Sequence, residues 1–132
     1  MVRYYDIDAA NARILELRPL LEQLRADRDA LAEAQREFRE RLASDGAPGV
    51  EAPLRDHAAH VRAIVRRMQQ AVWQIDAWGV TLRDIPSGMV DFPALASGRP
   101  IWLCWRLEEP GIAWWHELSA GFAGRQSLSD LA

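Results

Sequence analysis

Residues 6 to 46 read DIDAANARILELRPLLEQLRADRDALAEAQREFRERLASDG, and nothing in the chain restricts the fold more than this one stretch. Leu17, Leu21, Leu24, Leu31, Phe38 and Leu42 fall at alternating three- and four-residue steps, with Arg28 and Gln35 at the two interrupted positions. That spacing predicts one long helix with a locally imperfect seam of coiled-coil type. Asp6 is placed to cap it, Asp8 complements the helix dipole, and Gly46 offers a stop. Pro19 removes one intrahelical hydrogen bond, so a kink or a restarted helix is expected there.

The turn-rich ASDGAPGVEAP follows, and then LRDHAAHVRAIVRRMQQAVWQIDAWG resumes helical spacing. Leu54, His57, Val61, Ile64 or Val65, Met68, Val72, Ile75 and Trp78 share a face, and Gly79 suits the C′ position. The two segments predict an antiparallel helical hairpin with arms of roughly 40 Å, taking 1.5 Å per residue. Such a hairpin cannot cover its own apolar face, so the rest of the chain or a second copy must; a homodimer through the hairpin is expected.

From Val80 the period changes to two: VTLRD, MVDFPAL, PIWLCWRL and GIAWWHEL read as short strands separated by PSG, ASGR and EEPG. Short connections favour an antiparallel meander, followed by the Gly-rich tail SAGFAGRQSLSDLA. The fold class is therefore α+β in a single domain over 1–132: a helical hairpin over about 6–79, then a β-meander and tail over about 80–132. In the third strand Ile101, Leu103, Trp105 and Leu107 share an apolar face, opposite Trp102, Cys104 and Arg106. In the fourth, Ile112, Trp114, His116 and Leu118 oppose Trp115 and Glu117.

The mixed faces hold the candidate chemistry. Asp91 puts a charge in an apolar strand and needs a partner if it points inward, with Arg106, Arg125 and His116 as candidates. His116 and Glu117 are adjacent and diverge in a regular strand, and WWHELSAG lacks the second His of H-E-x-x-H. Metal binding at His116 with Cys104, Asp91 or Glu117 stays open across neighbouring strands, beside the plainer reading of a hydrogen-bonded core histidine. Cys104 is either a nucleophile activated by Arg106 or His116, or a small buried hydrophobe. GFAGR offers an anion loop ending in Arg125, or a turn whose Arg125 pairs with Glu117 or Asp91; a P-loop is excluded. His57 and His60 are three apart on the second helix, and His57 is expected in the helical seam.

YYDIDAANARILELRPLL, GVTLRDIPSGMVDFPAL, IWLCWRLEEPGIAWWHEL and GFAGRQSL, in this order, resemble a family of small uncharacterised prokaryotic proteins, domain of unknown function 2203. The likeness spans nearly the whole chain, and VDFPA, LCWR, WHE and GF-GR carry it most specifically. The resemblance implies membership and brings no activity, cofactor or catalytic residue.

Two classes of function compete. One is an oligomeric binding module taking a small anionic ligand at a polar edge formed by Asp91, Arg106, His116, Glu117 and Arg125, with the sheet presenting Trp102 and Trp115 as well. The other is a small metal-assisted hydrolase using His116 with Glu117 or Asp91. A net charge of −3, with every basic residue an Arg, gives no general attraction to nucleic acid or anionic membrane. From Val80 onward four Arg face six Asp or Glu, against a base-stacking sheet. One cysteine excludes an intramolecular disulfide framework, the amino terminus lacks a signal-peptide pattern, and no apolar run reaches ~18 residues, so a cytoplasmic location is expected.

Overall fold

The computed structural model describes residues 3–45 and 51–130. Helix α1 (Ile7–Asp45) and helix α2 (Glu51–Ala77) are followed by β1 (Thr81–Asp84), β2 (Met89–Ala96), β3 (Arg99–Trp105), β4 (Trp114–His116) and β5 (Gln126–Ser127). The strands form one antiparallel sheet in the order β1-β2-β3-β4-β5, the expected α+β architecture of helical hairpin and meander with a fifth strand drawn from the tail. The expected stop at Gly46 lies outside the described residues.

Helix α1 begins as its sequence predicts, with Asp6 Oδ1 accepting the Ala9 N–H at 2.7 Å. It runs through Pro19 as a single helix, so the chain does not restart there. Ala10, Ile14, Leu17, Leu21 and Leu24 are buried against the sheet and α2, each large side chain contributing about 1.5–3 kcal/mol. Beyond Leu24 the seam passes through Asp27, Leu31, Ala34 and Phe38, so its polar fault falls at Asp27 and not at Arg28. Asp27 is held there by Gln23 Nε2 and Arg67 Nη2, both at 3.1 Å. His57 joins the seam by stacking on Phe38, ring centroids 4.2 Å apart.

On α2 the inward residues are Ile64, Ala71 and Ile75, with Met68 and Trp78 half-buried, while Leu54 and Val72 face outward. Pro53 sits in the first turn, where its missing N–H has no intrahelical acceptor to lose. The helix closes on a Schellman motif: Gly79 N–H reaches Asp76 O at 2.9 Å, Val80 N–H reaches Ile75 O at 3.2 Å, and Gly79 takes φ +75°.

One face of the sheet is core. Val90, Phe92, Ala94, Ile101, Leu103, Trp105 and Trp115 are all buried in one cluster with α1 and α2. Trp115 is thus an inward residue and not part of a presented surface. The ASGR turn is a two-residue hairpin with Ser97 and Gly98 both at positive φ, the twist that antiparallel strands prefer. Strand β4 is shorter than alternation predicts because both ends are pulled out of the ladder. Ile112 N–H turns to Asn11 Oδ1 on α1 at 2.9 Å, and Glu117 O accepts the Ala120 N–H at 3.1 Å.

In the β1–β2 turn Asp84 Oδ2 accepts the Ser87 N–H at 3.0 Å, and the Ser87 hydroxyl adds a second bond that, with the first, lowers the Asp84 pKa. Gly88 takes φ +64°, and a Cβ there would sit 2.4 Å from Leu107 Cγ. Gly88→Ala therefore meets both backbone strain and overpacking, and is expected to lower unfolding free energy by about 3 kcal/mol in a denaturant titration.

Candidate functional site

The second face of the sheet is covered by the carboxyl-terminal tail, and the buried polar residues lie between the two. Pairing sets them out. Asp91 on β2 is opposite Cys104 on β3, Cys104 is opposite Trp114 on β4, and Trp102 is opposite His116. Directly paired residues share a face, so Asp91, Cys104 and His116 all point away from the helices. The imidazole reaches diagonally across β3, and its Nε2 lies 3.0 Å from Asp91 Oδ2. The carboxylate, thiol and imidazole ligand atoms all lie within 4.8 Å of one another, and all three residues are buried.

Arg83 completes the cluster, and nothing in the sequence reading singled it out. Its Nε donates to Asp91 Oδ2 at 2.8 Å while the guanidinium lies 5.0 Å from the Trp102 ring centroid. It sits at a β-bulge: Leu82 pairs with Val90 and Asp84 with Met89, leaving Arg83 as the extra residue. Alternation already places Arg83 on the face of Thr81, opposite Leu82. That these residues neighbour Asp91 depends on the register, which the four-residue turn sets.

Hydrogen bonding around His116 is restrictive. Nδ1 faces the Glu117 carbonyl at 2.8 Å, and a carbonyl only accepts, so Nδ1 carries a proton. Nε2 then faces a carboxylate that already accepts from Arg83. That contact is favourable only if a second proton or another cation stands between ring and carboxylate. Asp91 Oδ1 is buried without a hydrogen-bond partner. Burial first, and the negative charge of Asp91 second, push the Cys104 thiol up to about 12, with Arg125 acting weakly in the other direction. This favours the protonated thiol over the nucleophilic thiolate near neutral pH.

The other residues expected at a polar edge are engaged elsewhere. Glu117 pairs with Arg99, leaving the His116 ring to Asp91. Arg125 Nη2 bonds both oxygens of Glu109 at 2.7 Å, and its guanidinium lies over Trp114 and Phe122. Arg106 pairs with Glu108 at 3.0 Å and also lies over Phe122. Neither arginine meets Asp91, although each leaves its Nε buried without a partner. GFAGR forms a 3₁₀ turn over Phe122–Gly124 in which neither glycine takes positive φ; Gly124 is required because a Cβ would lie 2.7 Å from that of Ala120.

Between sheet and tail is a cavity of about 310 Å³, walled by Arg83, Met89, Asp91 and His116 on one side and by Leu118 to Phe122 on the other. The terminal nitrogens of Arg83 and the Ser119 hydroxyl have no protein partner among the described residues. Fold and site together define a helical-hairpin and meander protein with a buried Asp-Cys-His cluster beneath a small polar cavity.

The chain belongs to the uncharacterised conserved protein family DUF2203, whose model matches residues 3–128. Neither a curated protein nor a solved structure matches it. Among the described residues no helix is long and apolar enough to cross a membrane.

The raised Cys104 pKa links stability to pH. The unfolded thiol ionises near the ordinary 9.0 and the folded one at about 12, so the unfolded chain binds fewer protons between those values. The stabilisation is complete below pH 9.0 and is lost as pH rises towards about 12. Chelator-treated protein should therefore lose stability more steeply over that window than Cys104→Ala, measured by urea titration at successive pH values.

Proposed function

We propose that this protein is a binding module that takes a small anionic ligand in the cavity between sheet and tail. The supporting observation is the unused donor capacity there. Arg83 spends only Nε on Asp91 and lines the cavity together with Ser119, whose hydroxyl has no partner among the described residues. Among the described residues Asp91 is the one carboxylate lining this cavity, set against Arg83 and the imidazole of His116. Arg106 and Arg125 are neutralised by Glu108 and Glu109, which moves the anion site from the expected edge to Arg83. The hydrolase reading loses Glu117 to Arg99 and rests on Asp91 and His116 alone.

A thermal-shift series with inorganic phosphate and small carboxylates tests the ligand class. An anion at a hundred times its Kd stabilises the folded state by about 2.7 kcal/mol. Arg83→Gln should abolish that response and Arg106→Gln should keep it. A response that survives Arg83→Gln, or no response to any of these anions, counts against the reading.

The same proposal includes a homodimer through the hairpin. Leu31, Val65, Met68, Val72 and Trp73 line an apolar groove of about 600 Å³, and Trp73 is 70% exposed. Asp76 lies at one end of the groove, and the exposed Arg62 and Arg66 lie on the same helical stripe towards the other end. An antiparallel two-fold contact between two copies matches these opposite charges while covering both grooves. Light scattering should give twice the chain mass for the wild type and a single chain mass for Trp73→Glu; a wild-type monomer at micromolar concentration would exclude the dimer.

A further inference from the structure

We propose that Asp91, Cys104 and His116 form a site for one divalent transition-metal ion of the zinc class, with a fourth coordination position open to the cavity. This goes beyond the anion reading and does not rest on it.

Three adjacent strands each supply one donor, and the three ligand atoms lie within 4.8 Å of one another. A single ion with ligand distances of ~2.0–2.3 Å reaches all three with small side-chain adjustments. The set is one nitrogen, one sulfur and one oxygen. Borderline-soft ions such as Zn²⁺ or Co²⁺ suit that mixture, whereas Mg²⁺ and Ca²⁺ take oxygen ligands.

Two of the three ligands are already fixed by their other ends. His116 Nδ1 donates to the Glu117 carbonyl at 2.8 Å, which leaves Nε2 as the ligating atom and sets the ring plane. Asp91 Oδ2 is held by Arg83 Nε at 2.8 Å, which leaves the buried, unpartnered Oδ1 to bind. A cation relieves two otherwise unresolved features at once: the orphaned Oδ1 and the imidazole nitrogen that faces a carboxylate. Cys104 binds as the thiolate, its proton passing to solvent, and His116 through an unprotonated Nε2, so that two negative ligands balance the two charges of the ion.

His57 and His60 are the competing candidates. They line a separate cavity on α2 beside Phe38, with His57 occupied in ring stacking.

The test is a Co²⁺ titration of untagged, chelator-stripped protein in anion-free buffer, followed by optical absorption and elemental analysis. One Co²⁺ per chain is expected, with a sulfur-to-cobalt charge-transfer band and displacement by Zn²⁺. Cys104→Ser should remove that band, and Cys104→Ser and His116→Gln should each weaken binding more than tenfold, with folding checked by circular dichroism. His60→Ala should change neither. The wild-type spectrum alone decides thiolate ligation if a variant fails to fold. No stoichiometric ion, a spectrum without the sulfur band, or binding lost in His60→Ala would overturn the site. Because the titration contains no anion and Arg83→Gln retains all three ligands, failure here leaves the anion reading to its own test.

Discussion

Arg18 lies over the indole of Trp105 and donates to the carbonyls of Leu107 and Glu109, and through this one side chain the long helix grips the loop between β3 and β4. Asn11, two turns earlier on the same helix, takes the Ile112 N–H at the far end of that loop. With both ends pinned, β4 enters the sheet in one register, His116 opposite Trp102 and Trp115 opposite Leu103. A shift of one residue would exchange the two, burying the imidazole in the helix-facing core and turning Trp115 to the tail. The placement of the site is therefore decided on the opposite side of the sheet from the site itself.

The two faces of the sheet solve different problems. Against the helices, apolar side chains fill the space and no charge is buried in the sheet's half of the core. Against the tail, only the short segment after Glu117 is available as cover, and it encloses charged groups. Enclosed charge is tolerable when each group has a partner, since a buried ion left alone costs several kcal/mol. Arg125 and Glu109 meet that condition, and the aromatic faces of Trp114 and Phe122 add cation–π contact to the guanidinium. The tail is thus a wall held in place by ion pairs and rings. Its glycine at position 124 serves close packing on Ala120.

The architecture was readable because it rests on periodicity, which a single chain displays directly. Leu17, Leu21 and Leu24 announced the buried stripe of α1, Gly79 its neighbour's end, and ASGR the hairpin. The site was readable only in part, because it rests on register. Asp91 and His116 stood out as charges in apolar strands, and one of three candidate partners for Asp91, His116, does meet it. Arg83 did not stand out, since a lone Arg in a short strand is ordinary until the register sets it beside a particular carboxylate. Arg106, Glu117 and Arg125 sit near the cluster in sequence, but Glu108, Arg99 and Glu109 take them, pairings that depend on loop paths no alternation rule describes. The same holds for Asp27, whose burial follows from a seam offset by one residue and from Arg67 on the facing helix.

Asp91 and the half-buried Glu109 use their carboxylate oxygens differently. Glu109 has both oxygens engaged, Oε1 by the Arg106 N–H and Arg125 and Oε2 by Arg125 again, so its lone pairs are directed at the protein. Asp91 gathers two nitrogens, Arg83 Nε and His116 Nε2, at Oδ2 and leaves Oδ1 with no hydrogen-bond partner, although the residue is only 2% exposed. Stability alone would favour spreading the two donors over both oxygens, because an unsatisfied buried acceptor costs about 1–3 kcal/mol. This arrangement forgoes that gain while holding the carboxylate, the imidazole and the thiol side by side, next to the cavity that the tail walls.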